Sequence, residues 1–241
     1  MPHLRAVTFD HWDTLVHDPR GIRPRQLAAW HEVLTDAGTP VDSVDLAEAF
    51  EANWAVFEVR WEANIQHGAR ESTEVIVERL GLQPDPTVRD ALVDAFTFAG
   101  REAGLEVAPG ATETLATLKE RGIRLGIICD VGLTSGATLR ERMEGFGLLR
   151  FFDHWSFSDE VGCFKPFPPI FEHAMAGLGV DDAAAIAHVG DGRRTDVAGA
   201  LAMGMIAVRA TWFADRPPET GPEATHVAST IGEVPVVVGL S

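Results

Sequence analysis

The period of the apolar positions changes along the chain. Residues 4–9 form a compact apolar run that ends abruptly at Asp10, the pattern of a short buried strand entering a polar turn. From Pro19 to Gly104 the apolar residues recur at helical spacing. The stretches 25–38, 42–64, 72–82 and 86–104 each read as a helix, the first stopped by Gly38 and the second opened by an Asp42/Ser43 cap. Beyond Pro109 the rhythm alternates. Helices are predicted over 110–122, 135–147, 169–180, 196–204 and 231–240, and strands over 123–129, 153–158, 184–190, 205–210 and 224–230. Such alternation predicts an α/β fold, a doubly wound parallel sheet with helices on both faces. The strand at 4–9 cannot stand alone and must join that sheet. The chain is therefore expected to divide into an α/β core of residues 1–18 and 105–241 and an inserted helical domain of residues 19–104.

Composition narrows the setting. With 241 residues, 46% hydrophobic and 23% charged, the chain can bury a core without a metal or disulfide staple. Two cysteines, Cys129 and Cys163, make no disulfide framework, which favours a reducing compartment. The start "MPHLRAVTFD" lacks the apolar stretch of a secretory signal, and no apolar run approaches the ~20 residues that span a bilayer. A cytoplasmic location is the expectation. A formal net charge of -16 repels nucleic-acid phosphates and anionic lipid, and no Lys/Arg-rich run reverses it. Neither nucleic acid nor membrane is expected as a partner; a small molecule is. The oligomeric state is left open by the sequence.

In open parallel sheets, ligands bind outside the carboxyl ends of the strands. Asp10 follows the first strand, Cys129 and Asp130 follow "LGII", and Asp191 follows "AAIAHVG" with Asp196 five residues on. Lys165 comes just after the short strand at 153–158. Three carboxylates and a lysine from distant parts of the chain would thus share one edge. This set suits phosphoryl transfer. A carboxylate can act as nucleophile, and the transferred group needs cationic stabilisation from a lysine or Mg²⁺, a hard ion that prefers oxygen ligands. Crowded carboxylates repel unless a cation joins them.

The segments "FDHWDTL", "LGIICD", "GCFKPFPPIF" and "HVGDGRRTDVAGALAMGM" occur in the order found in the haloacid dehalogenase-like (HAD) superfamily, which the chain resembles. The resemblance is to the subfamily with a helical cap inserted after the first motif, and residues 19–104 match that cap in length and helicity. It implies a Rossmann-like core with an α-helical cap. It further implies a Mg²⁺-dependent phosphatase that acts on a small, anionic, phosphorylated metabolite through an aspartyl-phosphate. By this resemblance Asp10 is the nucleophile, Lys165 the catalytic lysine, and Asp191 and Asp196 the metal-binding acids. The metal would also take Asp10 and the backbone carbonyl of Trp12. Thr14 matches the threonine of the first motif, and Cys129 stands where the family has a Ser or Thr that bonds the transferred group. Trp12 and Asp130 would border the same substrate pocket.

Two departures bear on chemistry. Phosphatases of the family read D-x-D-G-T, with the second Asp as general acid/base. Here that position is Trp12, and Asp13 takes the usual glycine position. The proton for a leaving alcohol would then come from solvent, His11 or Asp13. The dehalogenases of the family carry an aromatic at this position, so a metal-free 2-haloacid dehalogenase-like hydrolase is the first alternative. Those enzymes lack an acid equivalent to Asp191, which favours the phosphatase. A HAD-fold binding or regulatory protein with little catalysis is the second alternative. Elsewhere, Trp30, Trp54 and Trp61 fall at largely helical positions and read as core, while Arg20, Arg23, Arg25, Arg193 and Arg194 read as solvated.

Overall fold

The computed structural model describes residues 4–98 and 104–240. Eight strands and ten α-helices are found among them. The strands are β1 (Ala6–Phe9), β2 (Val16–His17), β3 (Glu106–Val107), β4 (Arg124–Cys129), β5 (His154–Phe157), β6 (Ile186–Gly190), β7 (Ile206–Ala210) and β8 (His226–Ala228). The helices are α1 (Arg23–Asp36), α2 (Ser43–Glu62), α3 (Ala69–Arg79), α4 (Pro86–Phe98), α5 (Ala111–Glu120), α6 (Gly136–Gly145), α7 (Ser158–Val161), α8 (Pro168–Leu178), α9 (Ala198–Ala202) and α10 (Val234–Val237). Six strands form one sheet in the order β5-β4-β1-β6-β7-β8. Every pairing in it is parallel. This is the doubly wound α/β core that the alternating pattern predicts. No helix among the described residues is long and apolar enough to cross a membrane.

The chain folds as two compact units. The first comprises Met1–Pro19, Leu105–Asp130 and Met143–Ser241 and contains the sheet. Its central strand β1 is buried along its whole length, which explains why the sequence there is a continuous apolar run and not an alternating one. β1 pairs with β4 on one side and β6 on the other. The chain goes from β1 to β4 and outward to β5, then returns across β1 to β6. Such a reversal of strand order opens a crevice at the carboxyl ends of β1 and β6.

The second unit comprises Arg20–Gly104 and Val131–Arg142. Its helices α1 to α4 enclose Trp30, which meets Phe50 edge-on at 5.3 Å and Phe96 at 4.9 Å between ring centres. Leu133 packs against the same cluster, which ties residues 131–142 to this unit. α2 begins where the Asp42 carboxylate accepts the backbone N–H of Val44 at 2.8 Å, as its cap pattern predicts. Trp54 departs from the core reading: it is 42% exposed, stacks on Phe57 and lies near the Arg23 guanidinium.

Other differences have local causes. The helix predicted over 86–104 is seen from Pro86 to Phe98, and residues 99–103 lie outside the described residues. β2 and β3 form an antiparallel ribbon of two residues each, too short for any periodicity to register. The helix predicted over 231–240 is a 3₁₀ turn, Ile231–Glu233, followed by the single turn α10.

Candidate active site

Asp10 is the first residue beyond β1, and its backbone N–H donates to the Val189 carbonyl of β6 at 2.8 Å. This bond fixes the strand end at the crevice. Lys165 reaches the same point from the segment before α8. Its ammonium donates to Asp10 Oδ1 at 2.6 Å, to Asp196 Oδ1 at 2.6 Å and to the Ile128 carbonyl at 3.1 Å. Lys165 is 3% exposed and Asp196 2%, so these are buried ion pairs. The backbone N–H of Lys165 donates to Asp130 Oδ1 at 2.8 Å. Asp130 therefore holds the lysine segment in place.

Asp191 and Asp196 sit on the turn after β6. The turn is tight enough to exclude side chains at two positions. A Cβ on Gly190 would lie 2.3 Å from Asp196 Cγ, and one on Gly192 would lie 2.1 Å from Thr195 Oγ1. Only glycine fits at either. The backbone N–H of Gly192 and the Thr195 hydroxyl donate to Asp196 Oδ2, at 2.9 and 3.2 Å. His188 lies 2.9 Å from Asp196 Oδ1 through Nε2, and its Nδ1 lies 2.9 Å from the Thr8 hydroxyl. The network assigns the proton to Nε2, with Thr8 donating to Nδ1. Burial lowers the pKa of His188, in keeping with a neutral ring.

One carboxylate oxygen from each of Asp10, Asp191 and Asp196 lies within 4.8 Å of the others. Three buried hard-oxygen donors at this separation fit a divalent cation of the Mg²⁺ type. Asp196 already accepts four hydrogen bonds, so Asp10 and Asp191 offer the less encumbered oxygens. Burial alone would lower the pKa of Lys165, but Asp10 and Asp196 outweigh it and keep the ammonium charged. Burial alone would raise Asp196, but Lys165 and the His188 hydrogen bond hold it below the ordinary carboxylate range.

Asp191 behaves oppositely. Burial, reinforced by the charge of Asp196, raises its pKa from 3.8 to about 6 despite a hydrogen bond from Arg216. A shift of this size is worth ~3 kcal/mol between the protonation states. Because the folded value is the higher one, this contribution to stability is present below about pH 4 and lost as pH rises through about 6. Asp191→Asn is therefore expected to melt above wild type at pH 8 in chelator, with the gap closing at pH 4. Thermal melts across that range check it, and a pH-independent gap refutes it.

The remaining sequence candidates fall as follows. Cys129 ends β4, fully buried, and burial together with the Asp10 charge raises its thiol pKa well above the usual value. Thr14 is buried; its carbonyl accepts the Trp212 indole N–H at 2.8 Å, and its hydroxyl has no hydrogen-bond partner among the described residues. The Trp12 ring meets the buried His11 ring edge-on at 4.7 Å. Asp13 adopts a left-handed φ of 53°, which a glycine takes freely and Asp tolerates. Its carboxylate lies 2.7 Å from His17 Nδ1 and accepts from Arg216 at 2.8 Å.

Sequence reading missed Thr8, His188, Arg193 and Arg216. A histidine inside the apolar strand "AIAHVG" was the available signal for His188. Arg193 is buried and donates to the Arg216 carbonyl at 2.8 Å, to the Pro222 carbonyl and to Glu223, contrary to its solvated reading.

The model of the haloacid dehalogenase-like hydrolase family matches residues 4–204. A glyceraldehyde 3-phosphate phosphatase of Methanopyrus kandleri is 34% identical over 138 residues, 56% of each chain, so the match spans little more than half of that protein. A ribulose-1,5-bisphosphate 5-phosphatase of Halopiger xanaduensis is 30% identical over 240 residues, covering 95% of this chain and 97% of that one. Among solved structures, a 2-haloacid dehalogenase from Pseudomonas syringae is 25% identical, with a TM-score of 0.69 over 98% of each chain. The buried lysine–carboxylate edge of the parallel sheet and the extent of the family match lead to one conclusion: the chain belongs to the haloacid dehalogenase-like hydrolases.

Proposed function

We propose that this hydrolase is a Mg²⁺-dependent phosphatase of a small phosphorylated metabolite, with residues 19–104 serving as its cap. The observation that carries the reading is Asp191, buried with Asp10 and Asp196 in one carboxylate cluster. A metal-free attack on carbon has no use for that third acid. The two relatives above are named for phosphate esters of small metabolites, which supports the substrate class. Asp10 and Asp191, with Asp196 beside them, would hold Mg²⁺. Bound there, the ion would neutralise charge on the phosphoryl oxygens.

In this reading Asp10 attacks phosphorus, and the Lys165 ammonium at 2.6 Å orients it and meets the developing negative charge. The alcohol leaves, and water cleaves the aspartyl-phosphate. Asp196, bonded to both Lys165 and His188, keeps the lysine aimed. The leaving oxygen takes its proton from solvent. Trp12 has no titratable group, His11 is buried, and Asp13 is held between His17 and Arg216.

Turnover should therefore depend steeply on leaving-group acidity. General acid catalysis is typically worth ~10²–10⁴ in rate. Trp12→Asp is expected to raise kcat on an alkyl phosphate at least ~10-fold while leaving an aryl phosphate within a few-fold. Equal changes on both esters refute the missing-acid account. Turnover of 2-haloacids in chelator, with none of phosphate esters in Mg²⁺, would replace the phosphatase reading by the dehalogenase one.

A further inference from the structure

Arg216 lies beyond β7, 25 residues from the acid it touches, and matches none of the four motif segments. Its Nε donates to Asp191 Oδ2 at 2.6 Å and a terminal nitrogen donates to Asp13 Oδ2 at 2.8 Å. A half-exposed arginine on a surface carboxylate would ordinarily contribute little. Two observations set this one apart. Asp191 is a buried member of the carboxylate cluster. The backbone of Arg216 is also fixed: its carbonyl accepts from the buried Arg193, which Glu223 holds, and Glu223 is held in turn by Arg209. Gly221 lets this loop close down, since a Cβ there would lie 2.8 Å from the Arg193 backbone.

We infer that Arg216 is a residue of the ion site, a fixed positive charge on Asp191 that lowers the affinity of the cluster for a divalent cation, and that Arg193 is its positioning residue. The inference rests on the divalent-ion reading above. A guanidinium stays charged at any working pH. A divalent ion on the same carboxylate would stand a few ångströms from it, and like charges that close repel even where solvent reaches one of them. Asp13 gives the guanidinium a second anchor, so it cannot simply swing away. Three clustered carboxylates facing one lysine would otherwise carry two surplus negative charges, and Arg216, shared with Asp13, offsets part of that surplus. The site would then hold its ion loosely, in exchange with the surroundings.

Equilibrium dialysis against Mg²⁺ at low ionic strength tests this on wild type, Arg216→Gln, Arg216→Lys, Arg193→Gln and Asp191→Asn. Glutamine keeps an N–H donor and removes the charge; lysine keeps the charge. Arg216→Gln is expected to bind Mg²⁺ at least ~10-fold tighter than wild type, with the gap narrowing in salt. Arg216→Lys should stay within ~3-fold, the charge being retained. Arg193→Gln should shift affinity in the direction of Arg216→Gln, and a protein carrying both Arg193→Gln and Arg216→Gln no further than Arg216→Gln alone. Arg193 is buried, so its variant is first checked by thermal melting, and Arg216→Gln decides the matter if that fold fails. Unchanged or weaker binding in Arg216→Gln, with binding lost in Asp191→Asn, overturns the role of Arg216 alone. Equal binding in wild type and Asp191→Asn overturns the ion-site reading and this inference with it.

Discussion

Asp10→Asn is expected to abolish turnover of an activated aryl phosphate, by ~10⁴-fold or more, with the fold intact. An amide cannot form the acyl-phosphate bond, so the loss is of the chemical step and not of binding. The substitution is close to isosteric, and the backbone bond from residue 10 to the Val189 carbonyl does not involve the side chain. It also removes a carboxylate whose pKa burial raises well above the usual value despite the Lys165 charge, with Asp196 and Asp191 adding to the rise, and Lys165 keeps Asp196 as its partner. The variant should consequently be no less stable than wild type in chelator, which separates lost chemistry from lost structure. Residual activity within 10-fold of wild type would remove Asp10 from the nucleophile role.

Lys165→Met is expected to damage both fold and function. The ammonium serves two buried carboxylates and a backbone carbonyl. Methionine fills a similar volume and supplies no donor. Breaking a buried ion pair by deleting one partner typically costs ~3–5 kcal/mol, because the other charge is left without compensation. Asp10 and Asp196 would then relieve the strain by protonation. The sign follows from their shifts: losing the cation that lowers both pKa values raises them, so the variant should be less unstable at low pH. Chemical denaturation at pH 5 and pH 8 checks this, and a deficit that does not grow with pH refutes it. Turnover should fall with Asp10→Asn-like severity, since the nucleophile loses its orienting partner.

What the sequence revealed depended on spacing. Asp10, Asp191 and Asp196 could be placed because each follows a recognisable apolar strand, and a parallel sheet brings such ends together. Lys165 could be placed because it comes just after the short strand at 153–158, on the same edge of the sheet. Arg216 and His17 meet Asp13 only through loop and ribbon geometry that no periodicity encodes. Arg193 read as solvated because a guanidinium in a polar turn ordinarily is, and its burial depends on carbonyls more than twenty residues away. Trp54 and Trp30 lie on neighbouring helices at similar helical positions, yet only Trp30 is enclosed by Phe50 and Phe96.

The packing of Leu133 against the Trp30 cluster bears on how the protein could be recombined. Residues 20–104 form one continuous stretch of chain that a recombination could exchange as a cassette. The helical unit, however, is made of two segments, and Val131–Arg142 directly follows Asp130, the residue that holds the Lys165 backbone. A chimaera that transplants only the long segment leaves Leu133 against a foreign core, three residues along the chain from Asp130. A workable graft carries both segments and splices the second one after Asp130.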